Sequence, residues 1–416
     1  MFRTVALGSL ALATLAAGPA LAEDINIKLG VLNDRSGVYA DLSGEGSVVA
    51  ARMAVEDFGA ADKGIKVEIV SADHQNKPDI ASNIARQWYD AEGVDAILDV
   101  PTSSAALAVA EITAQAGKVF LNSGAATTDL TGAQCQPTTI HWTYDTAALA
   151  NGTGKAVTEA GGKKWFFLTA DYAFGHALER DTTAVVTATG GEVVGQVNVP
   201  FPATDFSSFL LQAQGSGADV IGLANAGGDT VNAIKQASEF GITQAGQQLA
   251  ALLMFVTDVH ALGAETAQGL SLTEAFYWDL NDKTREWSTR FEEKQGAKPT
   301  MVQAGVYSAT MHYLRAVEAV GSSDSKEVVA KMKATEFDDP LFGKGHVRGD
   351  GRVIHDMYLF EVKKPADSTG EWDLYNQIAT ISGEDAFPAD ARRVRLHQEM
   401  IHRGIPALAG VPRRTH

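Results

Sequence analysis

Two short runs of small and hydroxyl-bearing residues carry the clearest chemistry in the sequence. Pro101-Thr102-Ser103-Ser104 closes a strand-like run and opens a helical one. A serine or threonine there can cap the helix. The same hydroxyls, with the N–H groups of the first helical turn, also make a seat for a carboxylate. Asn122-Ser123-Gly124-Ala125-Ala126-Thr127 has the same form, and its small residues let a ligand approach the backbone closely. Two such loops on neighbouring strands converge on one point, with Ser103 and Thr127 as the expected anchors. Phe276-Tyr277-Trp278-Asp279 reads either as core packing or as an apolar wall over a ligand, in which case Tyr277 or Trp278 tunes selectivity. Gly227-Gly228 precedes a helix and reads either as a tight turn or as an anion-binding helix start.

Reactive constellations are missing from the pattern. There is no G-x-S-x-G nucleophile elbow, no H-E-x-x-H and no Walker A run. The ten His are scattered, so a lone His260 or His312 reads as a packed or surface residue. A single Cys excludes an internal disulfide framework and a multi-cysteine metal centre. The expectation is therefore no enzyme, no cofactor and no metal. The formal charge of −17, from 34 Lys+Arg against 51 Asp+Glu, argues against a nucleic-acid partner and against docking on anionic lipid.

The elements that must position these loops follow from periodicity. Ile25, Ile27, Leu29 and Val31 alternate as in a strand, and Val48, Ala51, Arg52 and Val55 recur at helical spacing. Strand and helix then alternate: strands near 66–70, 96–100, 118–121, 164–169, 192–198, 219–224, 248–253 and 270–276, with helices at 78–92, 103–116, 145–160, 173–190, 205–214, 229–240, 283–295 and 301–320. Repeated βα units imply an α/β fold with parallel sheets covered on both faces. With 45% hydrophobic residues over 416 positions, two domains are expected. Ligands of such sheets sit at the C-terminal ends of the strands. The loops to watch are 33–43, 100–104, 122–128, 170–174, 224–229 and 254–258.

Both ends differ from the body. Met1-Phe2-Arg3, an apolar run from Val5 to Ala17 and Ala20-Leu21-Ala22 read as a secretory signal peptide over 1–22, cleaved after Ala22. An apolar run of about 13 residues is too short to span a bilayer, so no membrane insertion is expected. Residues 386–416 hold six Arg against Asp390 and Glu399, opposite in sign to the acidic body. They read as an atypical basic tail outside the functional fold.

Several runs taken together resemble the type I periplasmic solute-binding proteins of branched-chain amino acid (Leu/Ile/Val-binding) ABC transporters. They are Lys28-Leu29-Gly30-Val31-Leu32 with Ser36-Gly37, Pro101 to Ala105, Ser123 to Thr127, Asp171-Tyr172-Ala173-Phe174-Gly175, Thr204 to Ser208, and Gly217-Ala218-Asp219-Val220. The resemblance covers residues 24–385. It implies two Rossmann-like lobes joined by three crossovers: residues 23–144 plus 277–347, and 145–276 plus 348–385. It implies that Ser103, Ser104, Ala125, Ala126 and Thr127 hold a ligand carboxylate, and that Asp145, at a crossover, helps hold an ammonium. Tyr39, Tyr172 and Phe174 approach the ligand side chain, and Asn225, Asp229 and Asp258 face the cleft. The implied function is capture of an amino acid or another small carboxylate, aromatic acids included, in the periplasm for an ABC permease. A ligand-sensing receptor subunit is the alternative. Ala226-Gly227-Gly228 stands where relatives often carry an aromatic, which is expected to open space that residues 276–278 could fill. Relatives also commonly pair the 131–135 loop with a Cys near the C-terminus. Cys135 stands alone here, and a reading-frame change or a divergent flexible ending are the two accounts of the tail.

Overall fold

A computed structural model describes residues 24–388. Five parallel strands form the first sheet, in the order β2 (Ile65–Asp73), β1 (Ile25–Asn33), β3 (Ala96–Asp99), β4 (Val119–Asn122), β5 (Thr139–His141). The second sheet is also parallel, in the order β7 (Glu192–Val199), β6 (Lys164–Ala170), β8 (Val220–Ala224), β9 (Gln248–Ala251). The outer part of β1 alternates between buried and exposed, whereas Leu29 to Asn33 are buried or nearly so at every position. That change marks where helices cover both faces, as a parallel sheet requires.

The helix Met301–Val320 shows how the first sheet is sealed. Thr300 and Gln303 exchange hydrogen bonds in a capping box at its start. Nearly the whole helix is buried, packed beside the helix Gly44–Phe58 and below β3 and β4. Its Ala, Gly and Ser positions permit the close approach.

After Val320 the periodicity reading does not anticipate what the chain does. A helix Ser325–Ala334 is followed by β11 (Phe337–Asp339), β12 (Gly343–Val347) and β13 (Val353–Ile354), an antiparallel unit. Then β14 (Met357–Val362) pairs antiparallel with both β10 (Ser271–Glu274) and β15 (Tyr375–Ile381). β11, β12 and β13 are short, and Asn376 to Thr380 of β15 are all exposed, so these strands carry no hydrophobic alternation to read. The polar run 363–370 is the β14–β15 connection.

The chain passes between the two halves after β5, after β10 and after β13. Arg352 lies where the first and third passages meet and is fully buried. Its guanidinium donates to the carbonyls of Trp142 (2.6 Å) and Tyr144 (2.9 Å), and its Nε donates to Val353 O (3.0 Å). His355 contacts the Trp142 carbonyl beside it, at 3.1 Å.

The end of the described chain belongs to this junction. Ala386 and Phe387 are buried, and the Phe387 ring lies 4.3 Å from the Arg352 guanidinium. Arg348 donates to Phe387 O (2.7 Å), and Asn151 donates to Ala386 O (3.2 Å). The expected tail boundary at 386 therefore falls two residues too early. The rest of the tail and the signal segment lie outside the described residues. Cys135 is half-buried and unpaired, its thiol donating to Asp350 O at 3.3 Å. No described helix is long and apolar enough to cross a membrane.

Candidate functional site

Four helices begin at the C-terminal ends of parallel strands and aim their N-termini at the crevice between the two sheets: Ser103–Ala116, Ala173–Ala188, Gly228–Glu239 and Val256–Leu262. None of the first three has a side-chain cap. Their first-turn N–H groups and dipoles make the crevice favourable to negative charge. Between them lies a narrow crevice with about 10 Å³ of enclosed space. One half of the molecule supplies Tyr39, Leu42, Pro101, Gly124 and Ala126; the other supplies Tyr172, Phe174, Ala226, Leu253 and Phe255; Tyr144, from the first crossover, completes the wall.

A buried polar scaffold holds the first half of this wall. Asp34 accepts hydrogen bonds from Gly37 N (2.8 Å) and Tyr39 N (2.9 Å), which curls the loop after β1 and sets the Tyr39 ring. Asn76, after β2, donates to Asp34 (2.5 Å) and accepts from the Thr102 hydroxyl, after β3. Thr102, used this way, leaves its helix uncapped. Asp99 and Val100 both have left-handed φ, 76° and 57°. For a β-branched residue that backbone is unusual. Asn122 Nδ2 holds it by donating to both carbonyls, at 3.0 and 3.3 Å, and the Asp99 carboxylate accepts from Asn33 (3.1 Å) and Ser43 (2.7 Å). Burial pushes the Asp99 carboxyl up to about 6.

The residues expected from sequence fall into four groups. Tyr39, Ala126, Tyr172 and Phe174 line the cavity. The tyrosines meet hydroxyl to hydroxyl, and desolvation raises both well above their ordinary range. Ser103, Ser104, Ala125 and Thr127 lie just behind the wall. Ser103 Oγ accepts from Thr127 N (3.3 Å), so its own proton remains to be donated. Ser104 sits half-buried in the first turn. Ala125 O bonds His141 Nε2 (2.7 Å), while Thr127 Oγ1 accepts from Asp129 N (3.3 Å) as a helix cap.

On the other side, Asn225 Oδ1 accepts from Thr230 (2.7 Å) and its Nδ2 is buried without a partner among the described residues. Among the described residues, Asp229 accepts from Ala203 N alone (3.2 Å), and Asp258 from Phe255 N (3.0 Å). Desolvation raises both carboxyls to about 7.

Three residues are placed elsewhere. Asp145 caps a helix through Ala148 N (2.9 Å) and faces Arg352 at 3.9 Å, so its charge is directed into the crossover. Tyr277 donates to Trp372 O (2.9 Å), accepts from Leu374 N (3.0 Å) and packs on Tyr375 at 4.6 Å. Trp278 donates to the same Trp372 carbonyl (2.8 Å) and carries the Lys298 ammonium 4.4 Å above its ring. Both aromatics pack on the β14–β15 hairpin and not on the cavity. Nor does Gly227-Gly228 leave a void, because the loop carrying Val38 and Tyr39 packs directly on it. Of the other wall residues, Pro101 and Gly124 lie in the two runs the sequence reading names, whereas Leu42, Tyr144, Leu253 and Phe255 are not singled out there. All but Leu253 and Tyr144 fall inside the loops it flagged.

Comparison with known proteins gives the same architecture. A sequence model described as periplasmic binding protein matches residues 26–370. A periplasmic binding protein structure from Burkholderia mallei is 52% identical, covering 89% of this chain and 98% of that one, with a TM-score of 0.87. A structure of a branched chain amino acid ABC transporter periplasmic ligand-binding protein from Burkholderia xenovorans is 41% identical, covering 88% and 98%, with a TM-score of 0.79. Leu/Ile/Val-binding protein homolog 6 of Brucella melitensis is 27% identical, over 88% of this chain and 95% of that protein. The chain belongs to the periplasmic binding protein family.

Proposed function

We propose that this member of the periplasmic binding protein family is exported, cleaved after Ala22, and captures an α-amino acid with an apolar side chain for the permease of an ABC importer. One observation carries the choice of ligand. The cleft is electrostatically two-sided. On the first half, the uncapped helix start at Ser103 and the free proton of Ser103 suit a carboxylate. On the second half, Asp229 and Asp258 each accept from one backbone donor among the described residues, and burial raises both carboxyls. An ammonium would be a favourable partner for such a desolvated carboxylate. Between them, Leu253, Phe255 and Phe174 offer an apolar surface for a side chain. The Burkholderia xenovorans relative, named for branched-chain amino acids, supports the same reading. Asp145, engaged with Arg352, has no part in the ammonium site as we read it.

The test is a thermal-shift screen of the purified protein with the common amino acids, their des-amino acids, benzoate, 4-hydroxybenzoate and neutral sugars. An amino acid at a hundred times its Kd should add about 2.7 kcal/mol of stability, and its des-amino counterpart should add much less. Equal stabilisation by the des-amino acid, or by benzoates alone, would overturn the zwitterion reading. Stabilisation by sugars alone would overturn carboxylate binding altogether.

A further inference from the structure

The two halves touch each other directly at the cleft, in a contact that uses no ligand atom. Gly228 N, from the second half, donates to Val38 O, from the first, at 3.1 Å. This approach depends on Gly227. Its backbone sits at φ 57° and ψ −135°, a region open essentially to glycine alone. A Cβ there would stand 2.4 Å from Val38 O and 3.0 Å from the Tyr39 ring. Beside this backbone bond, the Tyr39 and Tyr172 hydroxyls pair across the cleft. Phe201 then closes the cluster, its ring 4.3 Å from Tyr172 and 5.4 Å from Tyr39. One backbone hydrogen bond, one hydroxyl pair and an aromatic trio thus join the halves at a fixed separation.

We propose that Gly227, Gly228 and Val38, with Tyr39, Tyr172 and Phe201, form an interlobe latch that fixes the closed separation without help from ligand and so sets the size of molecule the cleft admits. A closing contact of this kind lowers the free energy of the closed state whether or not the cavity is filled, so part of the ligand-free population is closed. A ligand that matches the fixed separation then binds a shape already present. A larger one must break the latch, and its binding free energy is reduced by the latch energy given up.

Small-angle X-ray scattering of the ligand-free mature chain reads the latch without reference to what the cleft binds. The wild type should show a compact population, and Gly227→Ala should shift to a larger radius of gyration. A wild type that is wholly open, or a Gly227→Ala profile identical to it, would overturn the latch. Should circular dichroism show Gly227→Ala unfolded, Tyr172→Phe serves instead. It deletes one hydroxyl and should expand the ligand-free chain in the same direction, and an unchanged profile overturns the proposal. The size arm rests on the amino-acid reading above. In the thermal-shift panel, the variant that opens should lose at least tenfold in affinity for the best small amino acid and lose less for larger ones. Equal losses for all would overturn size selection while the scattering result still stands on its own.

Discussion

Ser103 and Thr127 look interchangeable in sequence, and the structure separates them. The Ser103 hydroxyl accepts the Thr127 N–H and keeps its own proton to donate. Thr127 Oγ1 already accepts from Asp129 N. Ser103→Ala should therefore cost about 1.5–3 kcal/mol in ligand binding, the range for a hydrogen bond to a charged group, and about 1 kcal/mol or more in stability, because the buried Thr127 N–H loses its acceptor. Thr127→Val should lower the melting temperature through a lost cap, about 1 kcal/mol. Calorimetric titration beside thermal melts checks both; an unchanged Kd for Ser103→Ala would remove it from the site. Asp99 offers a pH signature. Its folded carboxyl is raised from 3.8 to about 6, so the folded state keeps a proton that the unfolded chain has released. Its contribution is favourable below the unfolded value and is lost as pH rises towards 6, a span of about 3 kcal/mol at most. Asparagine tolerates the left-handed backbone and does not titrate. Relative to Asp99→Asn, the wild type should lose stability between pH 4 and 7. Denaturant melts showing a constant difference across that range would mean the carboxyl is not desolvated as the burial implies.

At the scale of elements, the cavity is built from strand ends, and that is why so much of it was legible. Periodicity alone locates the strand ends, and nine of the eleven wall residues lie in the six loops that follow them. Which residue of a loop faces inward is set by hydrogen bonds between loops far apart in sequence, and no spacing rule shows these. The Asp34–Asn76–Thr102 chain is the case in point: it ties the loops after β1, β2 and β3 through three side chains, none of them a wall residue. Tyr277 and Trp278 were undecidable for a related reason. A core and a ligand wall are both apolar, and the choice was made by the β14–β15 hairpin, whose solvent-facing residues give no pattern. Asn76→Ala should release two loops at once. Binding should weaken several-fold or more, at about 1 kcal/mol per hydrogen bond lost, with the circular dichroism spectrum unchanged. An affinity equal to wild type would show that the loops hold their shape without it.

At the scale of the whole molecule, the two halves meet across the cleft, and the crossovers that join them set how they meet. Arg352 organises two of the three, with every carbonyl it reaches belonging to a passage between halves. Its charge is buried, with Asp145 as the nearest counter-charge at 3.9 Å. The site is completed on its remaining side by the Phe387 ring. An aromatic face over a desolvated guanidinium contributes about 2 kcal/mol or more. Removing a buried Phe side chain costs about 3–5 kcal/mol through lost burial and the cavity left behind. The position at which the chain can be cut is therefore sharp. A protein ending at Pro388 keeps Phe387 and its bond from Arg348, and should match the full chain in both melting temperature and ligand affinity. One ending at Asp385 loses Ala386 and Phe387 together, and should melt markedly lower. It should also bind more weakly, because water reaching Arg352 loosens the passages that set how the halves meet. Phe387→Ala in the full chain isolates the ring and should reproduce most of the loss. Equal melting temperatures for the two truncations would show that the last buried turn does not hold the crossovers, and that the functional fold ends before it.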